Sequence, residues 1–290
     1  MCFGEESRQM LAWMLVILAL STGLEVSAHN SLDDQIIAAN QSIAHHPTAL
    51  QPRLALAELH RRHGDFNAAL RDLDEAHQLA PGNASTHYFR GLVLLDAARP
   101  LEAEVSLRYL LKLEPIHPQG HEARARALIQ LQRPLDAAHE YDLTIVQQPI
   151  PVPDHYLARA RAFAAAGSQY LEVAIRGLDE GIAIMGPILT LQRTTIDFEL
   201  RRGETRAALA RLNEVIDAAP RPEAWLAQRG EILAQAGQVE NAKQSFNLAL
   251  AELAHLSTRK RQTPAMSDLE ASILSSLADL PEQAARISLP

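Results

Sequence analysis

The sequence is poor in the residue types on which most protein chemistry depends. Its 290 residues include a single cysteine, Cys2, so it offers no disulfide framework, thiolate metal site or cysteine nucleophile beyond that residue. Aromatic residues make up 4%, and no block rich in Val, Ile and Thr alternates with polar residues, which leaves β-structure little support. There is no basic excess: 27 Lys and Arg stand against 35 Asp and Glu, a formal net charge of −8, which argues against a nucleic-acid partner and favours solubility. The nucleophile elbow Gly-x-Ser-x-Gly, a phosphate-cradling glycine loop and His-Glu-x-x-His are all missing. Nothing in the sequence favours catalysis, and no catalytic residue, metal or cofactor is expected.

Apolar residues are plentiful at 47%, mostly Ala and Leu, which favours closely packed helices. The run Met10–Leu20, eleven residues, has the length of a signal-peptide core and is too short to span a bilayer alone. Arg8 supplies a preceding positive charge, weakened by Glu5 and Glu6, and Val26-Ser27-Ala28 offers small residues for a signal peptidase. Residues 1–28 therefore read as a secretory signal, with an uncleaved anchor as the alternative; either way the rest of the chain is expected across the membrane. Cys2 lies upstream of the run, where a lipoprotein cysteine does not stand.

The chain repeats itself. Pro47, Pro81, Pro115 and Pro149 are spaced by 34 residues, and Pro220 lies 71 further on. A proline after each apolar-periodic stretch stops one helix and starts the next repeat. Ala69, Ala103 and Ala137 keep the interval, as do Leu73, Leu107 and Tyr141. Gly64-Asp65-Phe66 reads as a turn between two helices; Ala98-Arg99-Pro100, Gln132-Arg133-Pro134, Gly167, Gly203 and Gly237 hold the same place later. Small residues at Ala57, Gly91, Ala125, Ala160 and Gly230 fall where paired helices must approach. Near Ser168-Gln169-Tyr170 one repeat carries about two extra residues and ends in Gly186-Pro187, without a proline in register. The next has Ile196 in place of the small residue.

This pattern resembles the tetratricopeptide repeat family over residues 50–253. The resemblance implies an all-α fold, a right-handed α-solenoid of about six helix-turn-helix repeats. Residues 29–49 read as an N-terminal capping helix that starts the stack unpaired, with Leu32, Ile36, Ile37 and Ile43 as its apolar positions. Residues 254–290 read as a C-terminal cap and tail, with Leu269, Ile273, Leu274 and Leu277 on one side, and Arg259-Lys260-Arg261 as a solvated loop before it. One pair cannot bury both of its apolar faces; stacking covers them, and atypical ends close the array.

Three histidines, His87, His121 and His155, recur at 34 residues. They are expected on separate helices about 8–10 Å apart, whereas the ligands of one zinc all lie about 2 Å from it, so a shared metal is not expected. Arg90, Arg124, Arg159 and Arg229 each precede the small residue; the expectation is that their stems pack between helices and their charges point outward. Arg126 and Arg161 follow two residues after Arg124 and Arg159, and Arg193 falls on the same face one turn earlier in its repeat. In the family that face lines a concave groove. The resemblance thus implies a partner-binding groove with an apolar end at Tyr88, Phe89 and Leu92 and an arginine-lined stretch at Arg126, Arg161 and Arg193, suited to an acidic peptide or protein. The alternative is that these arginines pair with local acids such as Glu122, Asp154 or Asp197. Some cochaperone members clamp a terminal carboxylate with Lys and Asn; Leu54 and Glu58 stand at those places here, which argues against such a clamp. The function implied is an exported protein–protein interaction scaffold, with a membrane-anchored assembly factor or an enzyme's regulatory domain as alternatives. N-terminal sequencing of the exported protein is expected to start at His29; an intact Met1 start identifies residues 10–28 as an anchor instead.

Overall fold

The computed structural model describes residues 31–281, so the expected signal segment, residues 1–28, and most of the expected tail lie outside the described part. Among the described residues the regular structure is fifteen α-helices and one 3-10 turn, an all-α fold. None of these helices is long and apolar enough to cross a membrane. The chain forms two compact units, divided between Ala97 and Ala98.

The first unit contains α1 (Leu32–His45), α2 (Leu50–His63), α3 (Phe66–Leu79) and α4 (Ala84–Asp96). Side-chain oxygens cap three of them: Ser31 accepts from Asp34 N, Asp65 from Ala68 N and Asn83 from Thr86 N. Each bond satisfies one of the amides left over in a first turn. Leu54, Ala57, Ala69, Leu73, Ala76 and Val93 form the core. The starting helix is not unpaired, as the sequence suggested. It packs on α2, and since only one of its sides is covered, Ile37 remains 56% exposed.

The second unit runs through α5 (Pro100–Leu113), α6 (Pro118–Gln130), α7 (Pro134–Gln147), α8 (Pro153–Ala166), the 3-10 turn Ser168–Tyr170, α9 (Leu171–Met185), α10 (Leu189–Arg201), α11 (Thr205–Ala218), α12 (Glu223–Gln235), α13 (Val239–His255), α14 (Thr258–Arg261) and α15 (Pro264–Asp279). Helices α5 to α8 and α15 all begin on proline, whose fixed φ suits a first helical position where no N–H is required. Consecutive helices from α5 to α13 pack on one another.

The turn inside most repeats is a left-handed residue, followed in four of them by a long-range backbone bond. Gly64, Gly203 and Gly237 have φ of 86°, 80° and 72°. Gln132 takes φ 57° in the same place, and Ala98 takes 55°. The next residue then donates to the carbonyl five positions back: Asp65 to His60, Arg133 to Leu128, Glu204 to Glu199 and Gln238 to Leu233, at 2.8–2.9 Å. This closes the helix end and sends the chain back along it. The small residues at the crossing are equally determined. A Cβ on Gly230 would fall 2.5 Å from Phe246 Cε1, and Phe246 is itself fully buried in the last core cluster. Burying one such side chain is worth about 1.5–3 kcal/mol, so the glycine is the smaller sacrifice.

Two details differ from the sequence reading. The irregular repeat does keep its proline. Pro187 stands two residues beyond the end of α9, as Pro47, Pro81, Pro115, Pro149 and Pro220 do beyond α1, α3, α5, α7 and α11. The extra residues form the 3-10 turn, which shifts the sequence register while α8 and α9 still pack on each other. At the C-terminal end, Arg259-Lys260-Arg261 lies in the one-turn helix α14, and the Arg261 guanidinium holds the Glu270 carboxylate at 2.5 and 3.1 Å. Helix α15 buries Ile273 and leans Leu269 and Leu277 on the core, while Leu274 faces away at 52% exposure.

Candidate functional site

The first helices of the repeats carry arginines at two kinds of position, both of them on α6 and α8, and the structure separates them. The arginine before the small residue is engaged inside the stack. In the first unit Arg90 on α4 donates to Asp74 on α3 at 2.6 Å. In the second, Arg124 on α6 reaches Glu104 on α5 at 2.9 and 3.1 Å and Glu140 on α7 at 2.6 Å, and both carboxylates are buried. Arg159 on α8 binds Asp142 on α7 at 2.8 Å, Glu180 on α9 at 2.7 Å and the Gly177 carbonyl at 3.0 Å, while its guanidinium lies over the Tyr156 ring. Glycine at 177 leaves room for this: a Cβ there would come 2.8 Å from the guanidinium and displace it. Arg229 on α12 bridges Asn213 on α11 at 3.0 Å and Ser245 on α13 at 2.5 Å. The expectation that these charges point outward is therefore corrected. A guanidinium has donors on every edge, so one side chain can answer a second helix on each side.

Two repeats lack this arginine: in the first, buried Leu56 stands before Ala57, and in the repeat of α10 the bridge is kept by another route. Thr195 takes its place, fully buried and hydrogen-bonded to the Leu191 carbonyl. The charge comes from Arg211 on α11, which reaches Asp179 on α9 at 3.0 Å, and Glu199 at 3.0 Å and Gln192 at 3.3 Å on α10. Asp179 lies 16 residues before Thr195, the offset that separates Asp74 from Arg90 and Asn213 from Arg229. Arg211 lies 16 after Thr195, where Glu140 and Ser245 follow Arg124 and Arg229. The donor has moved to the other helix and the bridge across three helices remains. Burial opposes the charge of Arg159 and Arg211, but their carboxylate partners outweigh it and hold both pKa values above the usual arginine range.

Of the histidine series, His121 is buried beside this network. Its Nδ1 lies 2.7 Å from Glu140 and its Nε2 3.1 Å from the Pro115 carbonyl, two acceptors that together suit the doubly protonated ring. Burial disfavours that charge, as does Arg124, but the bonds to Glu140 and Pro115 prevail and the pKa is raised. His155 instead faces Glu122 on α6 at 3.4 Å. His87 stacks edge-on against His77, and its pKa is lowered by burial and by the neighbouring His77 and Arg90 charges.

The expected groove residues are placed as follows. Tyr88, Phe89 and Leu92 are half-buried on α4 in the first unit, with the Tyr88 and Phe89 rings edge to face at 5.6 Å. Phe89 leans on the core of that unit, so part of its surface is already used. Arg126, Arg161 and Arg193 are exposed on α6, α8 and α10 of the second unit. Helices α8 and α10 touch, which sets Arg161 and Arg193 on neighbouring helices. Neither makes an ion pair or hydrogen bond among the described residues. Two of the acids named as alternative partners serve elsewhere, since Glu122 faces His155 and Asp197 lies 3.9 Å from Arg201, and no ion pair joins the third, Asp154, to Arg161 or Arg193 among the described residues. At the places of the cochaperone clamp, Leu54 is buried in the core and Glu58 binds Arg61.

Two variants test the internal bridges. Arg211→Met strands Glu199, which is 4% exposed, and is expected to cost about 3–5 kcal/mol in chemical denaturation. Adding Glu199→Leu removes the stranded charge and is expected to recover most of that loss. His121 has a raised folded pKa, so its contribution is complete below the unfolded value of about 6.5 and is lost as pH rises through the folded value. His121→Gln is therefore expected to flatten the fall in Tm as pH rises from roughly 6 to 8; equal slopes in the two proteins rule this out.

No protein-family model matches the chain, and no curated protein matches it. Solved structures share its fold. A tetratricopeptide repeat protein from Parabacteroides merdae superposes with a TM-score of 0.51 and 17% identity, over 84% of this chain and 92% of that one. MamA from residue 41 to its end, from Desulfovibrio magneticus, gives 0.50 and 16%, over 58% of this chain and 93% of that one. The Naa15/Naa10 assembly bound to HypK gives 0.52 and 17%, over 84% of this chain and 36% of that one. With the period of 34 residues, the left-handed turns and the small-residue crossings, these likenesses make the chain a tetratricopeptide-repeat protein in fold.

Proposed function

We propose that the chain is a protein-interaction scaffold that works outside the cytoplasm and holds an acidic peptide or protein segment along the first helices of its second unit. The observation that carries this reading is the pair Arg161 and Arg193. Both are exposed, stand on touching helices and have no partner among the described residues. On the same helix, Arg159 is fully engaged two residues earlier. A step of two residues turns about 200° around a helix, so α8 directs one arginine into the stack and the other away from it. Free guanidinium groups suit carboxylates, which they can bind in bidentate fashion. Arg126 extends the same exposed series on α6.

Other observations agree. The Naa15/Naa10 structure that shares this fold holds HypK, and the fold offers the same kind of stacked helical surface here. Export is supported by the run Met10–Leu20 followed by Val26-Ser27-Ala28. Against a catalytic role stands the lack of any nucleophile–base motif in the sequence.

The test is charge reversal at positions where folding is not at stake. Arg161→Glu with Arg193→Glu is expected to reduce partner capture from the native compartment by at least about tenfold, with an unchanged Tm. Capture equal to that of the wild type would show that this face is not the partner site.

A further inference from the structure

The second unit contains a cleft of about 590 Å³ that the arginine series does not touch. It opens where the start of α10, the end of α11 and the start of α12 converge. Its walls are Pro187, Leu189, Val215, Pro220 and Trp225, closed by Ala218 and Ala219. Trp225 is fixed from behind, because it packs on the cluster around Ile196 and Leu212. Three polar side chains reach the cleft: Gln192, Glu214 and Arg221.

The charges in this lining are unequal. Arg221 is neutralised internally: its guanidinium binds the buried Glu223 carboxylate at 2.5 Å and lies 3.1 Å from Met266 Sδ. Gln192 already accepts a hydrogen bond from Arg211. Glu214 is exposed and has no ion pair or hydrogen bond among the described residues. It stands just before the last turn of α11, whose final carbonyls carry the negative end of the helix dipole. An unanswered carboxylate, a helix C-terminus and an indole in the wall all favour positive charge. The prolines and aliphatic side chains favour an apolar body. The volume falls in the range of small-molecule pockets, about 300–1,000 Å³, and one lysine or arginine side chain would leave most of it empty.

We propose that this cleft binds a small organic cation, an ammonium or guanidinium group carried on an apolar body, with the body against Trp225 and Leu189 and the head toward Glu214. This site is independent of the arginine face and of the partner it holds.

Three probes of one shape and different head charge test it: 2-phenylethylammonium, 3-phenylpropionate and 3-phenylpropan-1-ol. Binding to the full chain carrying Trp13→Phe, which leaves Trp225 as its one tryptophan, is followed by fluorescence and calorimetry. The cation is expected to saturate the site at a concentration about tenfold lower than the anion or the alcohol requires. Glu214→Gln, an exposed substitution that leaves folding intact, is expected to bring the three within about twofold of one another. No saturable binding, or equal affinity for the anion, overturns the proposal, and so does a cation preference that survives Glu214→Gln. Tighter binding of acetyl-Leu-Lys-Leu-amide than of 2-phenylethylammonium would assign the cleft to a protein segment and overturn it as well.

Discussion

A helix pair has more apolar surface than its two members can hide from water, so each pair depends on its neighbour. In such a stack the first helix of a repeat lies between two second helices, its own and the preceding one. A polar group in that position must be answered on both sides, or its burial costs several kcal/mol. Arginine meets the requirement at Arg124, Arg159 and Arg229, each of which reaches a second helix on either side. The bridge also restrains how far each helix can slide against the next, since a shift of one turn would pull the carboxylates out of reach. Thr195 and Arg211 show that the bridge can be kept with the charge supplied from the other helix.

That requirement leaves Arg161 and Arg193, on the opposite faces of α8 and α10, exposed and without an internal partner among the described residues. Arg159 and Arg161 are two residues apart and have different fates, one buried among Asp142, Glu180 and Tyr156, the other exposed. The cleft by Trp225 arises in another way. Its walls come from three helix ends, and its prolines, Pro187 and Pro220, are the residues that terminate the second helices α9 and α11. The chain thus presents two surfaces of opposite preference, cationic on the helix faces and anionic at the helix ends.

Much of the fold was legible in the sequence because it rests on local rules. Gly64, Gly203 and Gly237 mark turns that need positive φ, and Gly230 marks a contact with Phe246 that leaves no room for a Cβ. The expected groove residues Arg126, Arg161 and Arg193, which the family resemblance put on one helix face, are exposed. Where the reading failed, the missing information lay on another helix. Ile37 and Leu274 fit an apolar stripe, but each lies on an end helix with one covered side, so the edge of the stripe stays exposed. Pro187 escaped the period because the 3-10 turn before α9 adds residues without changing what the proline does. The inward direction of Arg90, Arg124, Arg159 and Arg229 had a signal that went unread, an acceptor 16 or 17 residues away in most repeats.

The sequence by itself determined the period, the sites of the turns and the positions that must stay small, since backbone torsion and Cβ volume act within a few residues of the chain. Only the tertiary structure decided which charges are answered. Glu104 and Glu140 are buried and bound to Arg124, while Glu214 is left exposed at the mouth of a cleft. Nothing local to these glutamates distinguishes them. Their roles follow from which helix lies opposite, and that is settled only when the pairs stack and remove water from one side of each.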